Sequence, residues 1–80
     1  MRRNNLDIYA DILKVANQGA KKTQIVYKAN LNFNILKTHM NALMQRGFIE
    51  KNERHYFTTE RGKDFVDSYQ SVRRLTEELV

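Results

Sequence analysis

The chain has 80 residues, no Cys, 41% hydrophobic residues and a formal net charge of +5. We expect one domain, 1–80, which at this length buries only about 60% of its unfolded surface, so that a partner chain is an expected source of stability. The absence of Cys excludes disulfides and thiolate chemistry, and no apolar run approaches the roughly 20 residues of a membrane span. We therefore expect a cytoplasmic protein.

Positive charge is concentrated in the first part of the chain. Residues 1–47 contain eight basic and two acidic residues, a net charge of +6, whereas the remainder carries −1. Between Asp11 and Glu50 there is no acidic residue. Such a stretch attracts phosphate, so a nucleic acid is the expected partner; a basic surface that only aids solubility is the alternative.

Two helices are predicted to open the chain. Asn4 or Asn5 caps the first, at about residues 5–17, and Gly19 ends it. Its apolar stripe consists of Leu6, Ile8, Tyr9, Ile12, Leu13 and Ala16. Thr23 is the candidate N-cap of a short second helix over residues 24–29, which Asn30 ends in a left-handed conformation.

The third predicted helix follows a turn of about three residues, as in a helix-turn-helix. Asn32 caps it and Gly47 ends it. Its buried face is predicted to contain Leu36, Met40, Leu43 and Met44. The opposite face has no acidic side chain, and its base-reading candidates are Asn34, Lys37, Thr38 and Asn41. The candidates for contacts with the DNA backbone are Lys21, Lys22, Thr23, Lys28, Lys51 and Arg54.

A β-hairpin and a long helix are predicted for the rest of the chain. Residues 48–51 and 55–58 are rich in aromatic and β-branched residues and flank a turn at 52–54. Thr59 then caps a helix over about residues 60–79, and Gly62 in its first turn implies close packing against the hairpin or the third helix. The apolar stripe of this helix extends beyond the needs of the domain core, through Tyr69, Val72, Leu75 and Leu79. Pairing with a second copy is the expected explanation, and a frayed tail is the alternative.

The remaining aromatic and histidine side chains suggest no catalytic or metal chemistry. Phe33 is expected in the core or as a staple, rather than stacked on a base, and Tyr27 faces either the core or phosphate. His39 and His55 lie in different elements, without a carboxylate or Cys at ligand spacing, so we expect no metal site. No motif indicates catalysis, and we expect a non-enzymatic protein without a cofactor or small-molecule ligand.

A family resemblance rests on two segments, GAKKTQIVYKANLNFNILKTHMNALMQRGFIE and HYFTTERGKDFVDSYQ. They closely resemble small archaeal winged-helix DNA-binding proteins that dimerise through a C-terminal helix. The most specific positions are Gly19 with Lys21-Lys22-Thr23, the run Tyr27-Lys28-Ala29-Asn30-Leu31, and Thr59-x-x-Gly62 before Phe65. The resemblance implies a mainly α winged helix-turn-helix with a small β-hairpin, in the order α-α-α-β-β-α. It also implies a third helix directed at the major groove. Thr58 departs from the aliphatic residue common at that position.

Two functions are consistent with these features. The first is double-stranded DNA binding by a nucleoid-associated homodimer that acts as a transcription regulator or a chromatin-architectural protein. The alternative is a winged-helix protein-interaction module whose basic face binds an acidic protein. The acid-free run favours DNA, and a steep salt dependence of binding would distinguish the two.

Overall fold

The computed structural model describes residues 4–78, which form the predicted order of elements. The elements are α1 (Asn5–Val15), α2 (Lys22–Lys28), α3 (Phe33–Gln45), β1 (Ile49–Asn52), β2 (His55–Thr58) and α4 (Glu60–Glu78). The prediction of a mainly α fold with a small β-hairpin is confirmed. None of the helices within residues 4–78 has both the length and the apolar character needed to cross a membrane.

Helices α1, α2 and α3 and the hairpin contribute to one hydrophobic core. Its largest fully buried side chains are Ile12, Leu13, Ile25, Leu36 and Leu43. Met44, predicted on the buried face of α3, is instead 41% exposed, and Leu6 of the apolar stripe of α1 is 48% exposed. Both lie in a terminal turn of their helix. The prediction of burial at Met44 was therefore wrong.

Hydrogen bonds between side chains and backbone amides mark where the first three helices begin. The Asn4 Oδ1 atom accepts a hydrogen bond from the Asp7 amide at 2.8 Å, and Asn32 caps α3 in the same way. The sequence predicted Thr23 as the N-cap of α2, but the N-cap is Lys21. The Gln24 Oε1 atom accepts a hydrogen bond from the Lys21 amide at 2.8 Å, so the helix begins earlier and Thr23 lies within its first turn.

Left-handed residues end α2 and α3. Asn30 has a φ of 57° and Gly47 has a φ of 73°. After each of them the next amide donates back into the helix, Leu31 to the Val26 carbonyl and Phe48 to the Leu43 carbonyl, both at 3.0 Å. This arrangement satisfies carbonyls that a helix end leaves unpaired and turns the chain sharply. The predicted stops at Asn30 and Gly47 are confirmed.

The hairpin has a two-residue turn and a short third segment beside it. Asn52 pairs with His55, so the turn consists of Glu53 and Arg54 instead of the three residues predicted. Glu53 has a φ of 58°. On the other side of β2, Ala20 and Tyr56 exchange two backbone hydrogen bonds, of 3.0 and 2.8 Å. This bridge attaches the residues just before α2 to the hairpin, which we call the wing.

The end of β2 is fastened to α1 through Thr58. Its side chain is buried, and its hydroxyl donates a hydrogen bond of 2.6 Å to the Leu13 carbonyl. The Thr58 amide donates a further bond of 3.1 Å to the Ala16 carbonyl. An aliphatic side chain could not donate to the Leu13 carbonyl, which gives a physical reason for a hydroxyl at this position.

Helix α4 begins against the end of α3. The Thr59 Oγ1 atom donates a hydrogen bond of 2.6 Å to the Gly47 carbonyl and accepts one of 3.1 Å from the Gly62 amide. A Cβ atom added to Gly62 would overlap the Phe48 carbonyl oxygen and lie 2.7 Å from the Thr58 Cγ2 atom. The close packing predicted for Gly62 is therefore confirmed.

We expect Gly62→Ala to lower the free energy of unfolding by about 2 kcal/mol, because the added methyl group collides with backbone at Phe48. Alanine is otherwise better than glycine within a helix by about 1 kcal/mol, so the steric effect must reverse the usual sign. Urea unfolding measures the change. Asp64→Ala, at an exposed site on the same helix, is the control. A Gly62→Ala variant more stable than the parent would contradict the steric argument.

Candidate nucleic-acid interface

The exposed face of α3 brings the four predicted base-reading residues together. Three of its core-facing side chains are buried, at Leu36, Met40 and Leu43. The exposed candidates are Asn34, Lys37, Thr38 and Asn41. Because their spacing of three and four residues matches the helical period, they share one broad face opposite the core. This face presents neutral amides, one hydroxyl and one ammonium group to solvent.

Polar groups on this face remain available for a ligand. The Thr38 hydroxyl donates a hydrogen bond of 3.2 Å to the Asn34 carbonyl, which leaves its oxygen lone pairs able to accept. Within residues 4–78, the side chains of Asn34, Lys37 and Asn41 make no hydrogen bond or ion pair. An Asn amide both donates and accepts, so the face can match either kind of group on a base edge.

The predicted backbone-contacting residues of α2 are all on the surface. Lys21, Lys22 and Thr23 are exposed at the start of the helix, and Lys28 is exposed in its last turn, just before the turn that leads to α3. Neither α2 nor α3 has an acidic residue in its first turn. The field at this surface is therefore positive, as the charge distribution along the sequence suggested.

The wing has a more mixed surface than α2. Lys51 is exposed, and its Nζ atom lies 5.7 Å from the ring centroid of Tyr56, its cross-strand partner. Arg54 lies in the turn beside Glu53, and Glu50 is also exposed. The two basic side chains are offset by two acidic ones, so the wing carries no net charge. Any phosphate contact here depends on the positions of Lys51 and Arg54 rather than on excess charge.

Backbone pairing holds the lysines of α2 beside the wing. Ala20 pairs with Tyr56, and Tyr56 pairs with Lys51 in the hairpin. Lys21 directly follows Ala20 on one side of β2, and Lys51 lies on β1 at the other side of β2. The sequence did not reveal this association, because a single bridged residue leaves no alternating pattern that could be read.

Two aromatic rings of the helix-turn-helix face solvent. Tyr27 is 86% exposed and Phe33 is 53% exposed. The expectation that Phe33 belongs to the core was therefore wrong, and the core-facing option for Tyr27 is excluded. Phe33 is not the staple either, because a staple residue precedes the cap and Phe33 follows the cap Asn32. Phe33 is the first residue of α3, whereas the half-buried Leu31 before it packs against the core.

Helix α4 carries a separate apolar surface. A groove of about 230 Å³ is lined by Leu6, Phe65, Ser68, Tyr69 and Val72. Val72 is 61% exposed and Leu75 is 62% exposed, whereas Tyr69 is half-buried with its ring stacked 6.2 Å from that of Phe65. Leu79, the last residue of the predicted pairing stripe, lies outside the described residues.

His39 lies on the side of α3 that faces α1. It is half-buried, and its ring meets the edge of the Tyr9 ring with a centroid separation of 5.2 Å. Burial lowers the pKa of His39 below its ordinary value of 6.5, because desolvation disfavours the charged imidazolium. Among residues 4–78 there is no group of three or more His, Asp or Glu placed to hold a metal ion.

Comparisons with known proteins agree with this architecture. Residues 2–77 match the winged helix-turn-helix family. Two relatives are uncharacterized proteins of Methanocaldococcus jannaschii. MJ0290 is 33% identical over 76 residues, which are 94% of this chain, and MJ0287 is 32% identical over 68 residues, which are 84% of it. The matched segment spans 36% of MJ0290 and 70% of MJ0287, so this chain covers only about a third of the former.

A solved structure is similar over nearly the whole chain. The crystal structure of Sso10a-2, a DNA-binding protein from Sulfolobus solfataricus, superposes with a TM-score of 0.87 at 25% sequence identity. The match covers 96% of this chain and 85% of that one. The predicted resemblance to archaeal winged-helix proteins is thus confirmed.

We expect the free energy of unfolding to fall as the pH drops below 6.5, partly because of His39. Its folded-state pKa is lowered, so the unfolded chain takes up the proton first, and stability is lost progressively until the pH falls below the folded-state pKa. Urea unfolding at several pH values should show a smaller loss for His39→Gln. His55→Gln, in the exposed part of the wing, is the control. Identical pH dependence in the parent and His39→Gln would contradict this role.

Proposed function

We propose that this chain, which belongs to the winged helix-turn-helix family, binds double-stranded DNA through the exposed face of α3. The observation that carries the proposal is that face itself, which is polar, lacks acidic residues and lies opposite the buried residues of the same helix. An α-helix with its side chains is about 10–12 Å across, which suits the major groove, about 12 Å wide.

The four exposed side chains of α3 are proposed to contact base edges. The amides of Asn34 and Asn41 suit the N6 and N7 positions of adenine, and the Lys37 ammonium suits the O6 and N7 acceptors of guanine. Thr38 can accept from an exocyclic amine, because its own proton is directed to the Asn34 carbonyl. Each good bidentate contact would provide about 1–3 kcal/mol of discrimination.

Basic residues around this face are proposed to hold the DNA backbone. Lys21, Lys22, Thr23 and Lys28 on α2 would contact phosphate on one side of the groove. Lys51 and Arg54 would do so from the wing, where their neighbours Glu50 and Glu53 cancel the local charge. Contacts of this kind position a protein on the duplex without reading sequence.

The similarity to Sso10a-2, which is described as a DNA-binding protein, supports the same assignment. A non-enzymatic role in the nucleoid, as a transcription regulator or an architectural protein, is consistent with this surface. This chain spans about a third of MJ0290. We propose that the corresponding segment of such longer relatives is also a DNA-binding domain.

A homodimer formed through α4 is the proposed assembly. Val72 and Leu75 expose most of their side chains, and the groove beside them continues the apolar surface across Tyr69 to Leu6 on α1. A second copy of α4 would cover this surface at the same time on both chains. Each fully buried Val or Leu contributes about 1.5–3 kcal/mol before the costs of association, and burial of these side chains on both chains is the proposed source of the dimer's stability.

We expect Lys21→Ala and Lys22→Ala to weaken binding to all duplexes alike. Each lost phosphate contact should also reduce the slope of log affinity against log salt by about 0.9, through counterion release. Fluorescence anisotropy with random and genomic duplexes over a range of salt concentrations measures both effects. Lys63→Ala removes the same charge from α4, where the ammonium lies 3.4 Å from Glu60, and is the matched control.

Two results would count against this proposal. Unchanged affinity in both lysine variants at low salt would exclude Lys21 and Lys22 from the interface. A shallow salt slope for the parent protein, together with binding to an acidic protein, would favour a protein-interaction module instead of a DNA-binding protein.

We expect Val72→Glu combined with Leu75→Glu to convert the dimer into a monomer, because two buried carboxylates on each chain would oppose pairing. Sedimentation equilibrium at tens of micromolar protein measures the mass. Gln70→Glu combined with Arg74→Glu places charge on other exposed positions of α4 and should leave the dimer intact. A monomeric parent protein under these conditions would refute the proposed assembly.

A further inference from the structure

Phe33 places an aromatic ring at the edge of the proposed DNA-contacting face. Its side chain is 53% exposed at the first residue of α3, although three other apolar residues of this helix are buried. A single exposed aromatic residue is ordinary in a soluble protein. The neighbours of Phe33 distinguish it, because Asn34 follows it directly and Lys37 lies one turn further on the same side of the helix.

The surroundings of Phe33 suit an anionic ligand that also carries an apolar group. No acidic residue occurs between Asp11 and Glu50, so Phe33 lies in the most basic part of the chain. The N-terminal residues of a recognition helix are the ones that contact base edges. Within the major groove, the thymine C5 methyl group is the distinctive apolar feature, and Phe is among the side chains that pack against it.

We infer that Phe33 is a specificity-determining residue whose ring packs against the C5 methyl group of thymine. The inference rests on the proposed DNA binding and adds a contact that recognises A·T pairs without a hydrogen bond. The contact also buries the exposed ring against an apolar group, which the polar residues of α3 cannot do.

Deoxyuridine provides a direct test, because it differs from thymidine only by lacking the C5 methyl group. Fluorescence anisotropy would compare an alternating adenine–thymine duplex with an adenine–uracil duplex of equal length at one salt concentration. The parent protein should bind the thymine duplex more tightly, by about fourfold for each methyl group buried. Phe33→Ala should weaken binding to the thymine duplex and bring the affinity ratio of the two duplexes close to one.

Two further variants make the comparison specific to the ring. Phe33→Leu keeps an apolar side chain and should retain part of the preference for thymine. Tyr27→Ala removes the other highly exposed aromatic ring of the helix-turn-helix, on α2, and should keep the full ratio. Circular dichroism verifies that each variant retains its helices.

The possible outcomes separate this inference from the proposed function. If the parent binds both duplexes equally, Phe33 does not read the methyl group, although DNA binding stands. If the parent binds neither duplex, both proposals fail. If Phe33→Ala weakens binding to single-stranded oligonucleotides while the parent shows no effect of the methyl group, the ring stacks on unpaired bases and the inference is overturned.

Discussion

The junction around Gly47 is the constraint on which the arrangement of functional elements depends. The Gly47 carbonyl accepts the Thr59 hydroxyl at 2.6 Å, and the Thr59 amide donates to the Phe48 carbonyl at 3.0 Å. Gly62 then passes so close to Phe48 that no Cβ atom fits. One set of contacts therefore ends α3, begins the wing and starts α4. The direction of the proposed DNA-contacting face relative to the proposed pairing helix follows from this junction.

Local signals predicted much of the fold. Asn4 and Asn32 are caps, and Asn30 and Gly47 are left-handed stops, because these functions depend on the chemistry of one residue and its near neighbours. Thr23 was misassigned as a cap because Gln24 folds back to the Lys21 amide, an alternative that sequence spacing did not exclude. Boundaries were less predictable than the elements themselves, since a helix can begin at any of several neighbouring residues.

Features that join distant parts of the chain were the ones that the sequence did not reveal. The hydrogen bond from Thr58 to the Leu13 carbonyl spans 45 positions, and the bridge between Ala20 and Tyr56 involves one isolated residue. Exposure was also misjudged for Phe33, because helical periodicity does not tell whether another element covers the end of an apolar stripe. For the candidate site, by contrast, the polar face of α3 was evident from residue type and spacing alone.

The bridge between Ala20 and Tyr56 has a mechanical consequence. Two backbone hydrogen bonds make the start of α2 and the wing one stiff unit, with Lys21 beside one edge and Lys51 on the neighbouring strand. The backbone positions of Lys21 and Lys51 are therefore fixed relative to each other. If both side chains contact phosphate as proposed, groove width, which varies with base sequence, would become a source of selectivity.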